Sequence, residues 1–463
     1  MRGTWKRSTR TLLAGIASVS AVSLGVVAVG STAASASSST PGVTKHSITI
    51  GATVPLTGPA APGYDEIAPA MKALFAWQNA HGGVNGRKIN YTYLDDGYNA
   101  AQTAPLTRKL VLQDKIFASV GALGTPTQTA VQAYLNSQKV PQLFIESGCN
   151  CWSESKYPYS LGWEPPYTVE GKILGYYIAH QFKGKKIGYL YQDDEFGQDV
   201  VKGLNMEIPA SSVVSKQNYD AATLSGALTP QMAALKSAGA QVVVLATIPA
   251  ATALAMLPAA ATGYMPQYVV DSVGADSPTV GPLLSSFTQT ATGNAAEAKA
   301  AEGLLANVIS DSYLPPENQT SNAWVRVDKK ILQDYAPSLY AAHGLDGNTE
   351  YGIALAYTFV QALKAAGKNL TRQGLLNAIN KDGHKFVTPG LVPLSYSKTV
   401  HFGFEGAEIV KFATSNPPAV TPTGNWIGAS PVSPVYTTSP GKGSVKRYTG
   451  SAKNPPASLV RSA

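Results

Sequence analysis

From Ser47 onward the chain alternates strand and helix patterns with almost no interruption, and that alternation limits the folds open to it more than any other feature. A β-branched run, SITIGATV, is followed by a Gly/Pro loop, an amphipathic helix pattern, a Gly82-Gly83-Val84-Asn85-Gly86 turn and a second strand pattern. Strands are predicted over 47–54, 88–94, 117–120 and 142–145, with helices over 66–80, 101–113 and 127–137 between them. Strict alternation of this kind implies right-handed crossovers and a parallel sheet. From Tyr167 the rhythm restarts, with strands over 186–191, 213–219, 242–246 and 268–271 separated by helices. The restart predicts a second lobe. A further apolar strand over 304–309 precedes Leu314-Pro315-Pro316 and three helix patterns over 322–335, 350–366 and 371–379.

With 463 residues and 44% hydrophobic content, the chain can bury two cores. The formal charge of +8 is concentrated at the ends. Ten of the 36 basic residues lie in the first ten positions or in 411–463, which leaves 26 against 28 acidic residues in the body. Such a body lacks the basic face that nucleic-acid binding requires, and no nucleic-acid partner is expected. Residues 1–36 have a cationic start, an apolar stretch and a closing Ala34-Ser35-Ala36. This is the pattern of a signal peptide, with an uncleaved anchor as the alternative, and no cysteine stands nearby for lipid attachment. The expected location is therefore the cell envelope or the extracellular space. Cys149 and Cys151 are the chain's two cysteines. They could form a local disulfide, remain two free thiols, or serve chemistry; as metal ligands two thiolates are too few, and no metal site is expected.

The segment from Asn79 to Arg87, with Leu94-Asp95-Asp96, resembles the first lobe of the type I periplasmic solute-binding proteins, the branched-chain amino-acid receptor family of ABC importers. The resemblance continues to about Thr414. It implies an α/β fold of two Rossmann-like lobes joined by a three-segment hinge. The first lobe would comprise 47–163 and 311–396, the second 164–310 with a return over 397–414. The crossings would lie near 162–166, 310–316 and 394–401. A Pro/Ser/Thr-rich basic tail, 415–463, is expected to be a loosely ordered extension outside the core.

Ligands of open α/β sheets sit beyond the carboxyl ends of the strands. The loops there supply Tyr64, then Gly124 and Thr125, the latter predicted to cap a helix with Gln128, and then Cys149 and Asn150. The resemblance implies that the Gly124–Thr125 loop holds a ligand's anionic or polar head, that Cys149 and Asn150 fall where the family offers a small residue and a Thr, and that Phe196 and Ile248 stand where the receptors offer aromatic rings. Ser272 falls where the amino-acid receptors place a Glu for the ligand's ammonium. Either Asp271 takes that role in a shifted register, or the ligand has no ammonium and is an uncharged or carboxylate-bearing molecule with an apolar or aromatic body. The six His residues lack metal spacing, and no HExxH, GxSxG or P-loop occurs. An enzyme is not expected, and no cofactor is implied. The resemblance implies a monomeric receptor that binds a small molecule and docks ABC permease subunits. A bilobed sensor or partner-binding module for a membrane receptor is the rival.

Overall fold

In the computed structural model, residues 40–413, 419–421, 424–426 and 428–462 are described. The signal-like segment 1–36 lies outside them. Two sheets organise the fold. The first has the order β2-β1-β3-β4-β5, all parallel, from β1 (Ser47–Val54), β2 (Lys88–Asp95), β3 (Ser119–Val120), β4 (Gln142–Ile145) and β5 (Ser160–Gly162). The second contains β6 (Ile187–Gln192), β7 (Val213–Tyr219), β8 (Val242–Ala246), β9 (Gln267–Val270), β10 (Ile309–Ser312) and β11 (Gly406–Ala413). Its strands β7-β6-β8-β9-β10 run parallel, and β11 joins β10 antiparallel.

Local chemistry explains the motifs that the sequence made conspicuous. The Asn79 side chain donates to the Ile89 carbonyl and accepts from the Ile89 N–H, both at 2.8 Å, and so clamps β2 to the end of the helix Ile67–Ala80. Asp95 accepts from the N–H groups of Leu56, Thr57 and Gly97 and from the Thr57 hydroxyl. Asp96 accepts from the Tyr98 N–H and the Thr103 hydroxyl. Both carboxylates are thus engaged in holding loops.

The helices Ile67–Ala80, Ala323–Tyr335 and Gly347–Ala366 pack together in the half built on the first sheet, where Phe75, Phe144 and Phe359 form edge-on ring contacts. The helices Tyr167–Gln181 and Glu195–Glu207 pack closely in the other half. Segments 163–166, 313–322 and 386–405 connect elements of the two halves. The first and last are laced together: the Gly162 N–H donates to the His401 carbonyl at 2.9 Å, the Tyr396 hydroxyl to the Gly162 carbonyl at 2.6 Å, and the Trp163 and Phe404 rings meet edge-on at 5.2 Å.

Three expectations change. The apolar run at 304–309 is a short 3-10 turn, Glu302–Leu305, and the strand begins only at Ile309, so Asp311 and Ser312 still belong to the second sheet. The helix Ser277–Thr292, capped by the Asp276 carboxylate on the Thr279 N–H, was not anticipated. The tail, where described, is not loose. Strands β14 (Gly428–Pro431) and β15 (Tyr436–Thr437) both pair antiparallel with β11, after the short hairpin β12 (Ala419–Thr421) and β13 (Gly424–Trp426). β16 (Lys446–Arg447) pairs with β15. The buried Lys172 ammonium donates to the carbonyls of Ser439, Gly441 and Gly443, and the Trp324 indole N–H donates to the Lys453 carbonyl. Lack of periodicity concealed this docking because it uses backbone groups, which composition does not report.

Candidate functional site

The carboxyl ends of the strands in both sheets face a shared cleft, which holds a cavity of about 170 Å³. Tyr64, Tyr98, Gly124, Thr125, Glu146 and Glu164 line it from the first half and the segment beyond β5, and Tyr167, Phe196, Ile248, Ser272 and Asp311 from the second. Contacts across the cleft close it. The Tyr64 hydroxyl donates to the Val273 carbonyl at 2.6 Å, and the Gln192 amide donates to the Tyr98 hydroxyl at 3.2 Å. Farther along, the Gly347 N–H and the Asn348 amide both donate to the Asp276 carboxylate.

Of the nine residues predicted for the site, Tyr64, Gly124, Thr125, Phe196, Ile248 and Ser272 line the cavity. Gly124 takes φ 105°, a conformation that favours glycine, and a Cβ there would stand 2.6 Å from the Tyr98 ring and the Thr127 hydroxyl. Gly124, and not Thr125, is the residue that caps the helix Thr125–Ser137. The Thr125 hydroxyl instead shares a 2.7 Å hydrogen bond with that of Ser147, and Gln128 turns to the Thr53 hydroxyl. Phe196 packs against Tyr167 with centroids 4.6 Å apart, placed by Asp194, whose carboxylate accepts from the Phe196 and Gly197 N–H groups.

Cys149, Asn150 and Asp271 do not reach the cavity. Cys149 and Cys151 are joined in a disulfide, with Cys149 buried. Asn150 is drawn across to the helix Glu195–Glu207, where its N–H and amide meet the two oxygens of Asp199 at 2.8 and 2.7 Å. Asp271 is fully buried and accepts from the Val273 N–H. Strand-end position placed these three near the cleft, but Cys149 is tied into the disulfide, Asn150 is bonded to Asp199, and Asp271 is buried with one oxygen on the Val273 N–H. The Ser272 hydroxyl donates at 2.8 Å to Glu170, so a carboxylate stands directly behind the position where the sequence had none. Because the disulfide lies off the cavity, replacing both cysteines with serine is expected to leave ligand affinity within about tenfold, or about 1.4 kcal/mol. Calorimetry on the double variant checks this, and a loss of several hundredfold in a folded protein would contradict it.

Sequence reasoning missed Glu146, Glu164, Asp276, Asp311, Glu317 and Glu350, all of which line the cavity. Glu146 was accessible to it, being the first residue after β4. Burial raises these groups above the usual carboxylate range: Glu164, Asp276 and Asp311 to about 7 and Glu317 to about 8, with burial the largest cause in each. Glu164 is held back by the Tyr167 and Tyr351 hydroxyls, the latter donating to it at 3.2 Å. Among the described residues, no three His, Cys, Asp or Glu side chains are grouped so as to hold a metal ion.

A family profile described as periplasmic binding protein matches residues 47–412. The chain belongs to that family. Members of that family bind small molecules and work with ABC transporters. A curated relative, a Leu/Ile/Val-binding protein homolog 3 of Brucella melitensis, is 24% identical over 212 residues, which is 42% of this chain and 53% of the relative. The chain therefore spans about half the length of that relative. Two solved structures share the fold. One is a fatty acid ABC transporter substrate-binding protein from Thermomonospora curvata, with TM-score 0.69 and 22% identity over 87% of this chain and 95% of that one. The other is a branched chain amino acid ABC transporter from Thermus thermophilus with bound valine, with TM-score 0.68 and 18% identity over 86% of this chain and 98% of that one. This binding protein shares their bilobed α/β architecture, and none of its described helices is long and apolar enough to cross a membrane.

Proposed function

We propose that the chain is the exported substrate-binding protein of an ABC importer, which captures a small organic solute between its lobes and presents the closed form to a membrane permease. The observation that carries this reading is the cavity at the strand ends, walled from both halves and bridged by Tyr64–Val273 and Tyr98–Gln192. The three connecting segments supply a hinge for opening and closing.

A cognate solute at about 100 times its dissociation constant should add roughly 2.7 kcal/mol to unfolding stability. A thermal-shift screen of a metabolite collection reads this directly. The bound compound, recovered by denaturation and weighed by mass spectrometry, should be chemically unchanged. Recovery of a converted product would replace the binding reading with an enzymatic one. Reconstitution with the permease and ATPase should give solute uptake; capture without uptake, together with binding to a sensor ectodomain, would favour the receptor-module reading.

A further inference from the structure

The cavity wall has a one-sided charge. Glu146, Glu164, Asp276, Asp311, Glu317 and Glu350 line it, and among the described residues no Lys, Arg or His does. Three of these carry unpartnered oxygens: Asp311 at its Oδ2, and Glu146 and Glu350. Glu146 is 6% exposed and neither of its carboxylate oxygens has a hydrogen-bond partner; Glu350 is 1% exposed and its Oε1 has none. A buried carboxylate without a partner is costly, and a protein retains one in a cavity wall at the expense of stability. Rigid elements hold Glu146 and Glu350 in place. The Glu146 backbone donates to the Ala122 carbonyl and accepts from the Gly124 N–H, and Glu350 sits in the first turn of the helix Gly347–Ala366.

The remaining wall is aromatic. Tyr64, Tyr98, Tyr167, Phe196, Tyr313 and Tyr351 face the cavity, and ring faces attract cations while accommodating an apolar body. The missing partner is not a metal ion, since no carboxylate group of that geometry occurs among the described residues. Nor does the wall suit an anion. The Thr125 hydroxyl, the donor that the sequence reading assigned to a ligand carboxylate, is engaged with Ser147, and Asn150 is bonded to Asp199. At roughly 10–15 Å³ per water-sized sphere, a cavity of about 170 Å³ has room for an organic molecule of amino-acid size.

We propose that the solute is an organic cation, an ammonium- or guanidinium-bearing molecule without a compensating carboxylate, whose charge is held by Glu146 beside Glu164 while its body lies against the tyrosine faces. This rests on the solute-capture reading above and reverses the expectation of an uncharged or carboxylate-bearing ligand.

The test uses probes matched in shape and different in charge: 2-phenylethylamine, phenylalanine, 3-phenylpropanol and 3-phenylpropanoate, with choline against 3,3-dimethylbutanol. Binding to the purified chain is measured by calorimetry, and native mass spectrometry identifies whatever molecule co-purifies. The cations should bind and the neutral and anionic isosteres should be at least about 30-fold weaker, the loss expected when a buried charge lacks its partner. Glu146→Gln should weaken the cation by a similar factor while the melting transition stays cooperative. If that variant does not fold, Glu350→Gln provides the second reading of the same cavity. Tighter binding of an anion or a neutral isostere, a co-purified molecule without positive charge, or unchanged cation affinity in a folded Glu146→Gln protein would overturn the proposal while leaving solute capture intact. Absence of any bound molecule, with no binding of any probe, would sink the capture reading and this inference together.

Discussion

Gly403→Ala should destabilise the protein by about 3 kcal/mol or more, the upper range for forcing atoms into a packed interior. A Cβ at this position would stand 1.4 Å from the Trp163 carbonyl oxygen, and the contact is with backbone, which has no rotamer to yield. Nor can the segment easily shift. The Gly403 carbonyl accepts from the Ser395 N–H at 2.6 Å, and the flanking His401 and Phe404 are tied to Gly162 and Trp163 by a hydrogen bond and a ring contact. The lesion lies where two of the segments linking the halves press together, so ligand binding should weaken along with stability. Denaturant unfolding of the variant gives the answer. A change within roughly 0.5 kcal/mol, the usual range for an innocuous surface substitution, would show that the two segments do not touch in solution.

The ligand-free protein should become more stable as pH falls from 8 to 5. Glu164, Asp276 and Asp311 titrate near 7 in the folded chain and Glu317 near 8, while unfolded carboxylates titrate near their ordinary values. Between these limits the folded state holds more protons than the unfolded state, so stability falls as pH rises through the window and is regained on acidification. A group moved from the ordinary range to about 7 contributes roughly 2 kcal/mol over that interval. Asp95 acts in the opposite sense: burial would raise it, but its four hydrogen bonds prevail and lower it, so its contribution is lost only below the ordinary carboxylate range. Melting temperatures across pH 5 to 8 would show the trend. A melting temperature that falls steadily on acidification would mean that the cavity acids are ionised and satisfied without a ligand. A bound cation should flatten the dependence, because it supplies the partner whose absence keeps the protons on.

The fold was legible in the sequence because strand burial and helix spacing leave a periodic record, and because Asn79 bonds to Ile89 a short way along the chain. Where the record failed, a local feature misled. The apolar residues at 304–309 satisfy a strand pattern, yet only the last of them enters one, since the chain must first turn out of the helix Ala295–Ala301. The site was half legible. Tyr64, Gly124 and Phe196 follow strands or open helices, and position alone brought them to the cleft. Glu164, Asp311 and Glu350 were not visible because nothing near them in sequence announces that they are buried. An acidic residue is exposed by default, and these become buried only when distant segments close over them.

The docked tail has a consequence for how the chain can be cut. The family match ends at residue 412, inside β11, which makes the segment beyond it look dispensable. Yet β14 and β15 occupy the side of β11 that faces away from β10. Without them, GAEIVKFA would be an open edge with unpaired amides along an apolar strand, a template on which a second copy could add. On this view the Pro- and Gly-rich extension guards the sheet against self-association, and the smallest well-behaved unit of this protein is longer than its family core.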